Sequence, residues 1–177
     1  MNNYIFTNKD VLYRLMEHPE LPTVEVENPK QEAYSCLRTW MTPQILQTLS
    51  RSKHADYPQR IFEVGDVVMP DDSAENRARE ERRLAAAIAG AKVTFTDVHA
   101  LVDSIMRSLG LTYRLERHDH PSLIPGRSVT VKVEGVEVGF AGEVHPKVLE
   151  NWDLKVPVAV LEVDVSKIRE ILLRSNS

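Results

Sequence analysis

Ser128-Val-Thr-Val-Lys-Val133, then Glu134-Gly135, then Val136-Glu-Val-Gly-Phe-Ala141 is the stretch on which the fold turns. Two runs of alternating apolar and polar residues flank a two-residue connection ending in glycine, the pattern of a tight β-hairpin. Counting outward from the turn pairs Val133 with Val136, Val131 with Val138 and Val129 with Phe140 on one face. Lys132 then stands opposite Glu137 on the other, an opposite-charge cross-strand pair. A hairpin with one apolar face needs further strands or helices to cover it.

The rest of the chain supplies both. Downstream, Pro157–Val165 is almost continuously apolar and predicts a central strand covered on both faces. Ser166 predicts the cap of a terminal helix with Ile168, Ile171 and Leu172 on its packed side. Upstream, Thr96 predicts the start of a helix facing inward through Val98, Leu101, Val102, Ile105 and Leu109, stopped by Gly110. Leu84–Ala89 is short and alanine-rich, open to helix or buried strand. Residues 71–83, with five acids and four arginines, predict a solvated loop running into it. Arg60-Ile-Phe-Glu-Val-Gly-Asp-Val-Val68 predicts a strand in which Gly65 marks a bulge or a close approach. Thr42 as N-cap and Pro43 as first helical residue open a helix facing inward through Ile45, Leu46 and Leu49. Asn3–Thr7 and Thr23–Glu27 predict short strands, and Thr7 with Asp10 caps a helix carrying Val11, Leu12, Leu15 and Met16. The fold class is therefore α+β: a mostly antiparallel sheet flanked by helices, in one domain over residues 1–177.

Composition excludes several functional classes. Of 177 residues, 22 are Lys or Arg and 26 are Asp or Glu, a net charge of −4 that argues against a dedicated nucleic-acid-binding module. No apolar run approaches the roughly 20 residues needed to cross a bilayer, and the first ten residues lack a signal-peptide pattern. Cys36, the one cysteine, has no disulfide or zinc partner, and predicts an intracellular, cytoplasmic setting and a small buried residue.

Candidate chemistry is sparse. There is no P-loop, dinucleotide fingerprint or nucleophile elbow. His118-Asp-His120 with Glu143-Val-His145 could present paired imidazole and carboxylate ligands to zinc, since alternate residues of a strand share a face. The simpler reading, polar loop and strand-end residues beside Pro121 and Pro146, is favoured. Arg77, Arg79, Arg82 and Arg83 could meet phosphates, yet interleaved Glu75, Glu80 and Glu81 favour a solvated charged face. Trp40 and Trp152 read equally as interface anchors or as core.

A resemblance carries the reading further. Asn28-Pro29-Lys30, Tyr34-Ser-Cys-Leu-Arg-Thr-Trp40, Pro43, Pro58-Gln-Arg-Ile-Phe-Glu-Val-Gly-Asp66, His120-Pro-Ser122, Pro125-Gly-Arg127, Gly139-Phe-Ala-Gly-Glu-Val-His-Pro146 and Glu162-Val-Asp164 occur in one order across residues 2–165. In that order and spacing the chain resembles the C-terminal, catalytic-like domain of the phenylalanyl-tRNA synthetase β subunit of archaeal and eukaryotic type. The resemblance implies a core like that of class II aminoacyl-tRNA synthetases, without a catalytic site of its own. The α subunit is then the partner that attaches phenylalanine to tRNA using ATP and Mg²⁺, in an assembly of two αβ pairs. This domain would hold no cofactor and meet tRNA only through the complex.

The residues agree with a supporting role. A class II site holds its ATP phosphates with one arginine in a strand–loop–strand and another ending a Gly-rich strand. Arg60-Ile-Phe-Glu63 echoes the first loosely, and Pro157–Asp164 has neither glycine nor arginine for the second. No catalytic or metal residue is carried over. The expected subunit contacts are the segment Leu37–Leu49, through Leu37, Arg38, Trp40, Met41, Ile45 and Leu49, and the loop His120–Arg127, through Arg127. The upstream editing and tRNA-contacting modules of such subunits are missing here, so a piece of a longer chain is expected. In isolation its uncovered face predicts self-association. The alternatives are a free-standing regulatory paralogue and a small metal enzyme built on His118, His120, Glu143 and His145.

Overall fold

The computed structural model describes residues 3–175. Its elements in chain order are β1 (Phe6–Thr7), a π-helical turn (Asp10–Arg14), a 3-10 turn (Glu32–Tyr34), β2 (Cys36–Leu37), α1 (Thr42–Arg51), β3 (Gln59–Pro70), β4 (Ala78–Ala89), α2 (Phe95–Ser108), β5 (Tyr113–Arg117), β6 (Leu123–Val133), β7 (Val136–Val144), α3 (Pro146–Asn151), β8 (Val158–Asp164) and α4 (Val165–Ser175). β1 and β2 form a small ribbon, and the other six strands form one sheet in the order β3-β4-β8-β7-β6-β5. Every neighbouring pair in that sheet is antiparallel, so the expected α+β class holds.

The sheet separates two cores. Alternation puts Ala85, Ala87 and Ala89 of β4 and Val158 and Val160 of β8 on the face that packs against α1, Val11 and Leu12 of the π-helical turn, and Met16 just after it. Ala159, Leu161 and Val163 point the other way, where Val98, Val102 and Met106 of α2 and Ile168 and Ile171 of α4 close over them. All seven residues of β8 are buried, Glu162 and Asp164 included, as its almost continuously apolar run predicts for a central strand.

The hairpin forms, but its register changes partway. Glu134 and Gly135 both take positive φ, 50° and 81°, the two-residue turn whose twist suits the flanking strands. Val133 pairs with Val136 and Lys132 with Glu137 as counted; Val131 then faces Gly139, Thr130 faces Phe140 and Val129 faces Ala141. Val138 is the extra residue of a bulge. Two contacts explain it. A Cβ on Gly139 would lie 2.1 Å from the Glu162 carbonyl oxygen and 2.8 Å from Val163 Cα, so only glycine fits where β8 approaches. The bulge also keeps Val138 in the α2/α4 core while turning Phe140 to the α1 face.

Other boundaries move for local reasons. Leu84–Ala89 is strand, and the charged run ahead of it is loop only over residues 71–77: Ala78–Arg83 extends β4, paired without a break to β3 from Gln59↔Ala89 to Pro70↔Ala78. Gly65 is a point of close approach and not a bulge, since its missing Cβ leaves room for the Arg38 guanidinium. Thr23–Glu27 forms one bridge, Glu25 to Cys36, in place of a strand. α2 starts earlier than Thr96, because Thr94 and Asp97 form a reciprocal capping box. Met41, not Thr42, is the N-cap of α1. Asn8 rather than Thr7 accepts the Val11 N–H at 2.9 Å, and Asp164 rather than Ser166 accepts the Lys167 N–H at 2.9 Å.

Candidate functional site

The polar groups of the molecule concentrate on the sheet face beneath α1. Alternation brings Glu63 of β3, Glu81 and Arg83 of β4 and Glu162 of β8 to that face, and Arg38, leaving β2, reaches over them. Arg38 donates to Glu63 Oε1 at 2.9 Å, to Gln44 Oε1 at 2.7 Å and to the Asp66 carbonyl at 2.8 Å. Glu162 accepts the Thr42 N–H at 2.9 Å, the Thr42 hydroxyl at 2.7 Å and the Met41 N–H at 3.0 Å, so a carboxylate from the centre of the sheet caps α1. Arg83 bridges Glu162 at 3.2 Å and Glu81 at 2.8 Å.

Arg38, Glu63 and Glu162 are 3%, 1% and 1% exposed, so no phosphate reaches Arg38 without displacing a carboxylate. Arg83 is less enclosed: its side chain is 20% exposed, and its Nε has no hydrogen-bond partner among the described residues. Burial works against the charge of Arg83, yet Glu162 and Glu81 outweigh it and raise its pKa further. Burial likewise opposes the charge of Glu81, and Arg83 and Arg79 outweigh it and hold its carboxyl below the ordinary range. Chemically the arrangement fixes β2, α1, β3, β4 and β8 in one geometry.

The candidate metal ligands do not converge on one point. His120 lies in a ring cluster, with centroids 5.4 Å from Trp40, 5.1 Å from His18, 5.6 Å from His118 and 4.9 Å from Phe140. Burial, then the nearby His18 and His118, push its pKa down to about 3, so it stays neutral. His118 Nδ1 meets the Thr130 hydroxyl at 2.9 Å, and His145 Nδ1 accepts the Lys147 N–H at the start of α3. Glu143 accepts the Phe95 N–H and pairs with Arg127, both at 2.8 Å. No three metal-ligating side chains converge among the described residues, which corrects the grouping drawn from alternation.

The expected contact residues fall mostly inside the chain's own core. Arg38, Trp40, Met41, Ile45 and Leu49 are buried, as is Trp152, which resolves both tryptophans as core. Leu37 is half-buried, and the Arg127 side chain is 61% exposed. The exposed apolar groups that could meet a partner lie beside that segment. Tyr4, Phe6 and Tyr34 are 77%, 45% and 44% exposed and line an open groove of about 640 Å³ with Val26 and Pro29. Tyr4 and Tyr34 meet edge-to-face at 6.3 Å. The sequence signal for this groove is bulky aromatic residues in short, irregular segments, where few neighbours can bury them. No described helix is long and apolar enough to cross a membrane.

Comparison with known proteins agrees with the residue pattern. The family model described as phenylalanyl tRNA synthetase beta chain CLM domain matches residues 1–165. The chain is 50% identical over 173 residues to the phenylalanine–tRNA ligase beta subunit of Thermofilum pendens, covering 98% of this chain and 31% of that protein. It is 46% identical over 157 residues to the protein of that name from Pyrococcus abyssi, covering 89% and 28%. The chain thus spans less than a third of the length of these relatives.

Proposed function

The chain belongs to the phenylalanyl-tRNA synthetase β-chain CLM-domain family, and from that membership we propose that it is a structural, non-catalytic domain of a phenylalanine–tRNA ligase. In this reading it packs beside the α subunit in the cytoplasm and supports the site where that subunit uses ATP and Mg²⁺ to attach phenylalanine to tRNA. Its six-stranded sheet is then a catalytic core of class II type whose polar centre has become structural. The observation that carries the proposal is the carboxylate-saturated network: buried Arg38 is held by Glu63, and Arg83, with a side chain 20% exposed, by Glu81 and Glu162. Both cations are already neutralised, which leaves neither free to stabilise charge developing on a phosphoryl group. Rigidity is what such a domain can contribute, because a catalytic constellation works only when its supports hold its geometry.

The groove of Tyr4, Phe6 and Tyr34 supports a contact with the α subunit, since exposed aromatics anchor protein interfaces. Mixing the chain with purified α subunit should give a complex by light scattering. Absence of one, where a full-length β subunit forms it, would sink the assignment. The triple variant Tyr4→Ser, Phe6→Ser, Tyr34→Ser should weaken the complex by about tenfold or more. ATP–pyrophosphate exchange by the chain alone should be nil, and clear activity would refute the non-catalytic reading.

A further inference from the structure

The sheet face that carries α2 and α4 is one helix short of covered. Six strands about 4.8 Å apart make a sheet roughly 29 Å wide. Two helices about 10 Å across cover roughly 20 Å of it. The core on this face draws its residues from β4 to β8 and from the two helices. β3 is left out. Its even-numbered side chains point to this face, beside Leu84, Ala86 and Ile88 of β4, and among them Phe62 is 64% and Val64 45% exposed. Large apolar side chains in an outer strand, next to a finished helix layer, make an open seat for a further element.

Three observations identify what fits. The uncovered width is that of a single helix, and the layer it would join is helical. Arg60 stands on the same face as Phe62 and has no ion-pair partner among the described residues, so the complementary surface carries a carboxylate. The position also shares its face with α4, the last element of the described chain. Relatives carry the matching region in a chain about three times its length, since it makes up 31% of the Thermofilum pendens protein.

We propose that the Phe62–Val64 strip is the seat of an amphipathic helix from the remainder of the same β-chain polypeptide. Its apolar residues repeat at helical spacing, and an acidic residue is aimed at Arg60. The proposal rests on the reading that these residues work within a β chain, and needs no α subunit to hold.

Hydroxyl-radical footprinting of three preparations tests it: the 177-residue chain, the full-length Thermofilum pendens β subunit, and that subunit with its α partner. Oxidation at the positions aligned with Phe62 and Val64 should fall by about fivefold from the first to the second, the change expected when an open ring becomes mostly covered. Adding α should change it no further. Equal oxidation in the first two overturns the proposal. Protection that arises only with α, or only as the 177-residue chain is concentrated, also overturns it, and assigns the strip to the partner or to a second copy. The first two preparations contain no α subunit, so failure of the assembly reading and failure of this one are separately visible.

Discussion

Glu162 on β8 and Thr42 at the start of α1 are 120 residues apart and joined twice, through the Thr42 N–H at 2.9 Å and its hydroxyl at 2.7 Å. The carboxylate thereby satisfies backbone donors that begin a helix and neutralises Arg83 on the adjacent strand. Replacing it by glutamine keeps the shape and removes the charge. Glu162→Gln should cost about 3 kcal/mol, because Arg83 is left in a low-dielectric setting with one carboxylate fewer. Urea denaturation of the two proteins measures this; a loss below about 1 kcal/mol would show that the cap and not the charge matters.

Gly65 and Arg38 form a second coupled pair. A Cβ at position 65 would lie 2.2 Å from Arg38 Nη2, and the guanidinium cannot swing away without breaking its bonds to Glu63, Gln44 and the Asp66 carbonyl. Gly65→Ala should destabilise by about 2–3 kcal/mol and Arg38→Ala by about 3–5 kcal/mol. The double variant should cost clearly less than their sum, because the clash vanishes with the arginine. Full additivity in a double-mutant cycle would contradict this contact.

His120 makes acid stability predictable in sign. Its folded pKa is about 3, against 6.5 unfolded, because burial and the neighbouring His18 and His118 disfavour the charged ring. As pH falls through about 6.5 the unfolded chain takes up a proton that the folded chain refuses. The contribution is therefore complete above that pH and lost progressively down to about 3. His120→Phe should show a smaller drop in Tm than the parent between about pH 7.5 and about pH 5. Parallel Tm curves for the two proteins would exclude this origin.

Cys36 should be chemically silent while the chain is folded. It is 1% exposed, and burial, then Glu25, push its thiol up to about 11. At pH 8 only about one thiol in a thousand is then ionised, and that one is out of reach of reagent. Ellman's reagent should react only at the rate of unfolding, with full release in denaturant. Rapid labelling of native protein would show that the β1–β2 ribbon opens on its own.

Legibility followed range along the chain. The Glu134-Gly135 turn, the largely apolar run of β8, the inward face of α4 and that of α2 apart from Leu109, which is 40% exposed beyond the helix end, were visible because each depends on residues a few positions apart. Strand or helix could not be separated for Leu84–Ala89, where alanine suits both and only pairing with Gln59–Val64 and Val158–Val163 decides. The charged run to Arg83 looked solvated because its acids and arginines balance, yet Glu81 and Arg83 alternate inward to the network beneath α1. The His118, His120, Glu143 and His145 grouping failed differently. Alternation says which side chains share a face of one strand but says nothing of what else comes to claim them, here Thr130, Trp40, Phe95 with Arg127, and Lys147.

By itself, then, the sequence determined the α+β class, the hairpin turn, the central strand and the family to which the chain belongs. Those properties reside in periodicity, in turn chemistry and in the order of short motifs. Tertiary structure alone decided which face Phe140 occupies, which carboxylate caps α1, and which aromatics are left exposed at Tyr4, Phe6, Tyr34 and Phe62. The physical reason is that each of these is a contact between strands or segments distant in the chain. Gly139 must meet the β8 backbone before a bulge has any cause, and Glu162 must lie beneath α1 before it has a helix to cap.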